Sequence, residues 1–382
     1  MTKSVSVVAL ATFAAITGGA VIAEGIDTKA ALGELLFFDM DLSANGTMSC
    51  ATCHDPDYGF ADPRSNDAGM AVSLGDDGVS LGDRNAPAIG YAAFSPRFHR
   101  NEDGDYIGGQ FWDGRAADLA EQAGGPPLNP IEMGMPSKAA VMDRLQAIPD
   151  YVAAFDALYG TGVLEDAEAG YAAMTDAIAA FERTEVFAPF DSKYDRFLRG
   201  EAELTREEDL GRVLFFSQQF TNCNQCHQLR SSAIDSAETF TNYEYHNIGT
   251  PANTAARAHN GVADDFVDLG LLANPAVDHE AELGKYKVPS LRNVAVTGPY
   301  MHNGVFEDLR TVVLFYNRYN SRSERRQINP ETGARWADPE VTETLSFEEL
   351  THGPALEDER IDALVAFMKT LTDQRYEHLL EE

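Results

Sequence analysis

Every cysteine in this 382-residue chain belongs to one of two copies of a single pattern. Cys50-Ala51-Thr52-Cys53-His54 and Cys223-Asn224-Gln225-Cys226-His227 both read C-x-x-C-H, the signature of c-type haem attachment. Two thiols at this spacing match the two vinyl groups of one haem, and the adjoining His offers an imidazole to the iron. Zinc is the competing use of Cys and His, but a structural zinc takes four such ligands at one site and each cluster supplies three. Cys50, Cys53, His54, Cys223, Cys226 and His227 are therefore the expected cofactor-binding set, and the fold has to enclose two covalently bound haems.

The length exceeds what one hydrophobic core usually supports, so two domains are expected, with an ordinary globular composition of 44% hydrophobic and 24% charged residues. Met1 and Lys3, an apolar run from Val5 to Thr17 and the small-residue exit at Ala23 read as a signal peptide, residues 1–23. That places the mature protein in the periplasm without a membrane anchor; an uncleaved anchor is the alternative reading of the same segment. Sixty-one acidic against 29 basic residues give a formal charge of −32, which excludes nucleic acid as a partner, because phosphates are neutralised by Lys and Arg. The acidity would steer in a basic protein partner, or serve only solubility.

The motif flanks repeat as well. Leu32-Gly33-Glu34-Leu35-Leu36-Phe37-Phe38 precedes the first and Leu210-Gly211-Arg212-Val213-Leu214-Phe215-Phe216 the second, each with apolar residues at helical spacing. Arg84-Asn85-Ala86-Pro87 and Phe111-Trp112-Asp113-Gly114 are matched with Leu291-Arg292-Asn293-Val294 and Met301-His302-Asn303-Gly304. Counting 12 residues on from Gly114 and from Gly304 sets Pro126 opposite Tyr316. Tyr can ligate haem iron and Pro cannot, so the repeat predicts a second haem held by His227 and Tyr316 and a first haem, held by His54, with an open face. An aromatic packed on a helix would read the same way at Tyr316. Gln122 and Glu132 bracket Pro126 and carry the polar groups that proton movement between peroxide oxygens needs, although surface positions fit them equally.

With these motifs in view, the sequence resembles the bacterial dihaem cytochrome c peroxidase family, and within it the methylamine-utilisation branch. The resemblance spans nearly the whole mature chain. It rests on both haem motifs, on Gln110-Phe111-Trp112-Asp113-Gly114-Arg115, Asn129-Pro130-Ile131-Glu132-Met133 and Ala180-Phe181-Glu182-Arg183-Thr184, and on the run Val288-Pro289-Ser290-Leu291-Arg292-Asn293-Val294-Ala295. It implies a high-spin haem that meets hydrogen peroxide in the N-terminal domain and a low-spin haem that handles electrons in the C-terminal one. It further implies Trp112 as a bridging tryptophan, Gln122, Glu132 and Pro126 as the distal pocket, and one calcium ion at Asn85, Thr297 and Pro299. In this branch the second axial ligand is Tyr rather than Met, matching Tyr316, and a phenolate favours oxidised iron where a thioether favours reduced. No His lies between Asp55 and Phe98 to cap the first haem. The chain departs from the branch at Thr221, where a surface Trp would stand.

The expectation is a mainly α protein of two cytochrome-c-like domains, each enclosing one covalently bound haem: residues 24–190 with the peroxidatic haem, residues 191–382 with the electron-transfer haem. An amphipathic helix between Leu356 and Leu371 should pack over the second haem, and the C-terminal tail should reach back to the first domain. The leading function is peroxide-driven oxidation of a protein substrate, the maturation of a tryptophan-derived quinone in an amine dehydrogenase precursor. The runner-up is peroxide removal with electrons from a small cytochrome c or cupredoxin. A pure electron carrier is the third class. His246, His259, His279, His302, His352 and His378 read as hydrogen-bonding or surface residues, with His246 and His302 as supports of haem propionates or loops.

Overall fold

The computed structural model describes residues 26–229, 232, 234–263 and 265–381. The expected signal segment lies outside the described residues. Thirteen α-helices follow in order: α1 (Lys29–Phe37), α2 (Cys50–Cys53), α3 (Leu119–Ala123), α4 (Lys138–Gln146), α5 (Pro149–Tyr159), α6 (Ala167–Glu182), α7 (Lys193–Leu198), α8 (Arg206–Phe215), α9 (Cys223–Cys226), α10 (Thr254–Asn260), α11 (Leu309–Asn317), α12 (Phe347–Leu350) and α13 (Asp358–Lys369). Among the described residues the strands are only two residues long: β1 (His99–Arg100) pairs antiparallel with β2 (Tyr106–Ile107), and β3 (Tyr245–His246) with β4 (Tyr286–Lys287). The fold is mainly α and cytochrome c-like. None of the described helices is long and apolar enough to cross a membrane.

Two helix pairs carry the packing, α1 on α6 and α8 on α13. Both leading helices start from a threonine cap: the Thr28 hydroxyl accepts from Ala31 N at 3.1 Å, and Thr205 accepts from Glu208 N at 3.2 Å while the Glu208 carboxylate returns to Thr205 N. The repeated L-G-x-x-L-F-F stretch then does the same work twice. Leu32, Leu36 and Phe37 of α1 meet Ala177, Ile178 and Phe181 of α6 in one core; Leu214 and Phe215 of α8 meet Ile361, Leu364 and Phe367 of α13 in another. Edge-to-face rings close each core, Phe37 against Phe181 with centroids 5.5 Å apart and Phe215 against Phe240 at 5.9 Å.

The repeated glycine is what lets the helices touch. A Cβ on Gly33 would lie 1.9 Å from Ala177 O, and one on Gly211 would lie 1.8 Å from Ala363 O. The matching stretches are thus a packing device, two backbone-to-backbone crossings at equivalent points.

The halves meet through small apolar clusters, such as Phe98 and Tyr106 with Tyr245 and Leu271, and through polar contacts. The Asp373 carboxylate accepts from Tyr91 OH at 2.5 Å and from Asn293 Nδ2 at 2.8 Å. Beyond it the tail turns back as the sequence led us to expect, and buried Tyr376 donates its hydroxyl to Pro56 O at 2.8 Å. Lys287 N donates to Trp112 O at 2.9 Å, fastening β4 to the Trp112 turn.

Gly33→Ala and Gly211→Ala should each lower stability by about 1–3 kcal/mol or more, because the backbone clash outweighs the roughly 1 kcal/mol that Ala gains over Gly in a helix. Denaturant unfolding of the haem-loaded protein checks this; an unchanged midpoint in both variants would mean the crossings are not close.

Candidate haem sites and the wall between them

Each C-x-x-C-H motif winds one helical turn. The His N–H closes it, donating to Cys50 O at 3.0 Å in α2 and to Cys223 O at 2.8 Å in α9. The imidazoles are oriented in the same way in both halves. His54 Nδ1 lies 3.3 Å from Phe60 O, and His227 Nδ1 lies 3.2 Å from Phe240 O. Phe60 and Phe240 both hold left-handed backbone, at φ +60° and +55°. A ring that donates from Nδ1 to a carbonyl keeps the Nε2 lone pair for a metal. Burial pushes both imidazoles below their ordinary range, His227 to about 4, so both are neutral at neutral pH as ligands must be.

Beside each motif is a cavity, about 300 Å³ at the first and about 250 Å³ at the second. Cys50, Cys53 and His54 border the first; Cys223, Cys226 and His227 border the second. The cysteines form no disulfide, and among the described residues no three His, Cys, Asp or Glu side chains gather into a metal cage. Two thiols and one oriented imidazole on a largely apolar cavity fit a covalently attached haem in each half. Leu364 and Met368 of α13 border the second cavity, the position expected for the C-terminal helix.

The halves diverge on the facing wall. The Phe111–Gly114 and Met301–Gly304 segments form the same turn: the first residue has φ +62° or +71°, the glycine φ +67° or +63°, and Gln110 bridges Ala116 as Tyr300 bridges Phe306. Asp118 then caps α3 as Asp308 caps α11. From that shared start α3 stops at Ala123, ahead of Gly124-Gly125-Pro126, whereas α11 runs on through Tyr316. Pro126 borders the first cavity and Tyr316 the second. Among the described residues the Tyr316 hydroxyl has no hydrogen-bond partner, and burial pushes its phenol above the usual range.

One pairing of the repeat is corrected. The Arg84-Asn85 and Arg292-Asn293 dipeptides are alike in letters only. Tyr91 and Asn293, at φ +62° each, both open a short 3₁₀ turn and both bind Asp373, so Tyr91 is the counterpart of Asn293 and Pro87 of Pro289.

Gln122, Glu132 and Trp112 also border the first cavity, and Trp112 borders the second as well. Burial raises the Glu132 carboxyl above its ordinary range, opposed by the Arg115 charge and the Asn129 amide. The Trp112 indole donates to Asn85 O at 2.8 Å, and Asn85 N donates to His302 O at 2.8 Å. Asn85, Thr297 and Pro299 all border the first cavity. Asn85 Nδ2 is engaged by Ala71 O at 3.1 Å, which leaves the amide oxygen for a cation held by neutral oxygens alone. His246 and His302 border the second cavity, and the His302 ring stacks on Tyr286 at 3.5 Å. Thr221 is buried, its hydroxyl on Leu214 O at 2.5 Å.

Sequence reasoning passed over Glu182 as a site residue. It is 5% exposed at the end of α6, borders the first cavity, and leaves Oε2 without a partner. Burial pushes its carboxyl up to about 8. The available signal was a lone acid one helical turn beyond Ile178 on an otherwise apolar face.

The sequence profile of the di-haem cytochrome c peroxidase family matches residues 27–203. The methylamine utilization protein MauG of Paracoccus denitrificans is 58% identical over 356 residues, 93% of this chain and 91% of that protein. The cytochrome c peroxidase Ccp of Escherichia coli is 34% identical, over 78% of this chain and 55% of its own length. The crystal structure of the diheme peroxidase BthA from Burkholderia thailandensis superimposes with a TM-score of 0.79 at 34% identity, covering 91% of this chain and 86% of that one.

A carboxyl raised on folding contributes stability below its unfolded value of 4.5 and loses that contribution as pH rises through about 8. Glu182→Gln should therefore melt at nearly constant temperature from pH 5 to 9, while the parent falls by an amount equivalent to a few kcal/mol. Parallel melting curves would show that Glu182 is solvated or paired.

Proposed function

The chain belongs to the di-haem cytochrome c peroxidase family and is a peroxidase-type oxidoreductase of the MauG kind, and from that premise we propose that it works in the periplasm, maturing a tryptophan-derived quinone in an amine dehydrogenase precursor. The observation that carries this reading is the asymmetry of the repeated turn, with Pro126 on one cavity wall and Tyr316 on the other. In this reading residues 24–190 and 191–382 are two domains with one haem c each.

Cys50, Cys53 and His54 would hold the first haem, the cysteines by thioether bonds; Cys223, Cys226, His227 and Tyr316 would hold the second. Haem bound there would supply the redox chemistry for reducing peroxide with electrons taken from the substrate. Hydrogen peroxide takes up two electrons and two protons to give two waters, and the residues here manage the protons. Glu132, with its carboxyl raised by burial, can deliver a proton to the departing oxygen and regain one from solvent. Gln122 can orient the peroxide by hydrogen bonding, and Pro126, with no donor or ligand atom, keeps that face free. Trp112 would carry charge between the two cavities, a role supported by its bordering both and by the hydrogen bond that pins its indole N–H. A calcium ion on Asn85 Oδ1 and the carbonyls of Thr297 and Pro299 would stiffen this same wall.

Peroxide removal fed by a small cytochrome c or cupredoxin is the second reading. The buried Thr221 favours it, because the second haem then lacks a redox-active surface aromatic at that point.

Two measurements test the reading. Electron paramagnetic resonance of the diferric protein should give one high-spin and one low-spin signal, with Tyr316→Met altering only the low-spin one; two low-spin signals would overturn the open first haem. Peroxide should convert a quinone precursor at a rate that Glu132→Gln lowers by roughly 100-fold. Fast peroxide removal with a reduced cytochrome, and no quinone product, would hand the function to the second reading.

A further inference from the structure

Lys287 is the last residue of β4 and borders both cavities. Its Nζ donates to Gly109 O at 2.5 Å, and among the described residues it has no other polar partner. An ammonium carries three donors, so two are left over at a place where an unpaired charge is costly.

The other cations of this wall are already neutralised. Arg84 binds Asp113 at 2.7 Å and Asp268 at 2.6 Å, Arg115 binds Asp113 at 2.9 Å, and Arg292 binds Asp195 at 2.5 Å. Lys287 alone among them has no carboxylate within 4.0 Å among the described residues. Among the described residues it is also the one lysine or arginine bordering the second cavity. Asp113 is the acid whose charge reaches it, from beyond ion-pair distance, and without a closer anion burial holds the ammonium down to about 7.

A haem brings two carboxylates, its propionates, and a carboxylate taken out of water calls for a charge-assisted donor. We propose that Lys287 is the propionate anchor of the second haem, its free N–H donors binding a carboxylate of that cofactor at the wall shared with the first. The anchor ties the charge of the second haem to the Trp112 turn, since the same residue's backbone N–H is held by Trp112 O at 2.9 Å. The proposal rests on the dihaem reading, which is checked separately on each sample by counting two haems per chain from the pyridine haemochrome spectrum.

The test is a spectroelectrochemical titration of both haems, with resonance Raman of the propionate bending modes, in Lys287→Met, Lys287→Gln and Lys287→Arg. Removing a nearby cation disfavours the reduced haem. Lys287→Met should shift the ferrous/ferric ratio of the second haem at least tenfold toward ferric, about 59 mV for one electron, and move one of its propionate modes. Lys287→Arg should keep both near the parent. If Lys287→Met loads haem poorly, Lys287→Gln, which retains a donor for Gly109 O, should show the same shift. Unchanged potentials and Raman modes in fully loaded variants, or a shift confined to the first haem, would overturn the assignment.

Discussion

Two helix crossings, each with a glycine where the backbones meet, set the geometry of everything else. With a Cβ at Gly33 or Gly211 the helices could not approach, and the apolar faces of α1 and α8 would lose their register with α6 and α13. Each crossing fixes the point at which the chain leaves the leading helix and turns into its C-x-x-C-H segment. The imidazole is then aimed by one backbone carbonyl, from a phenylalanine in left-handed conformation. Such a phenylalanine is uncommon, and finding it twice at equivalent points means that orientation of the His outweighed the local strain. The site in each half is therefore positioned by backbone, and side-chain identity is left free to vary on the facing wall.

The seam between the halves adds directional bonds to small apolar clusters. Arg84 is clamped between Asp113 and Asp268, and Asp373 holds Tyr91 and Asn293. Buried ion pairs add little net stability but make it costly to remove one partner, so this seam specifies geometry more than it contributes affinity. That suits a wall that has to hold Trp112 at a fixed place between two cavities. A purely apolar seam could slide, whereas directional bonds cannot slide without leaving charges unpaired.

How much of this was legible depends on the range of the interaction. The haem motifs were fully legible because the chemistry lies within five consecutive residues. Pro126 and Tyr316 were legible by counting, because both follow a glycine whose positive φ is needed for the same turn. Counting failed at Asn85, where a two-letter likeness to Arg292-Asn293 outweighed the backbone correspondence of Tyr91 with Asn293. Glu182 and Lys287 were not legible as site residues at all. One is a single acid on an apolar helix face and the other ends a two-residue strand, and what makes each unusual is the lack of a partner, which only the folded arrangement reveals.

The duplicated fold also explains how one architecture holds two unlike sites. Both copies inherit the helix crossing, the oriented His and the glycine turn, all of which are requirements for folding. The facing wall beyond the turn carries no such requirement. In one copy Gly124-Gly125-Pro126 ends the helix and puts a side chain without a ligand atom on the wall; in the other the helix runs on and brings a phenol to the equivalent wall. A change of a few residues, in a segment whose start is fixed by Asp118 or Asp308, is enough to make the two walls differ while the capped start of each segment stays the same. The shared wall then has to serve both at once, which is why its arginines are paired in advance and its one tryptophan is pinned.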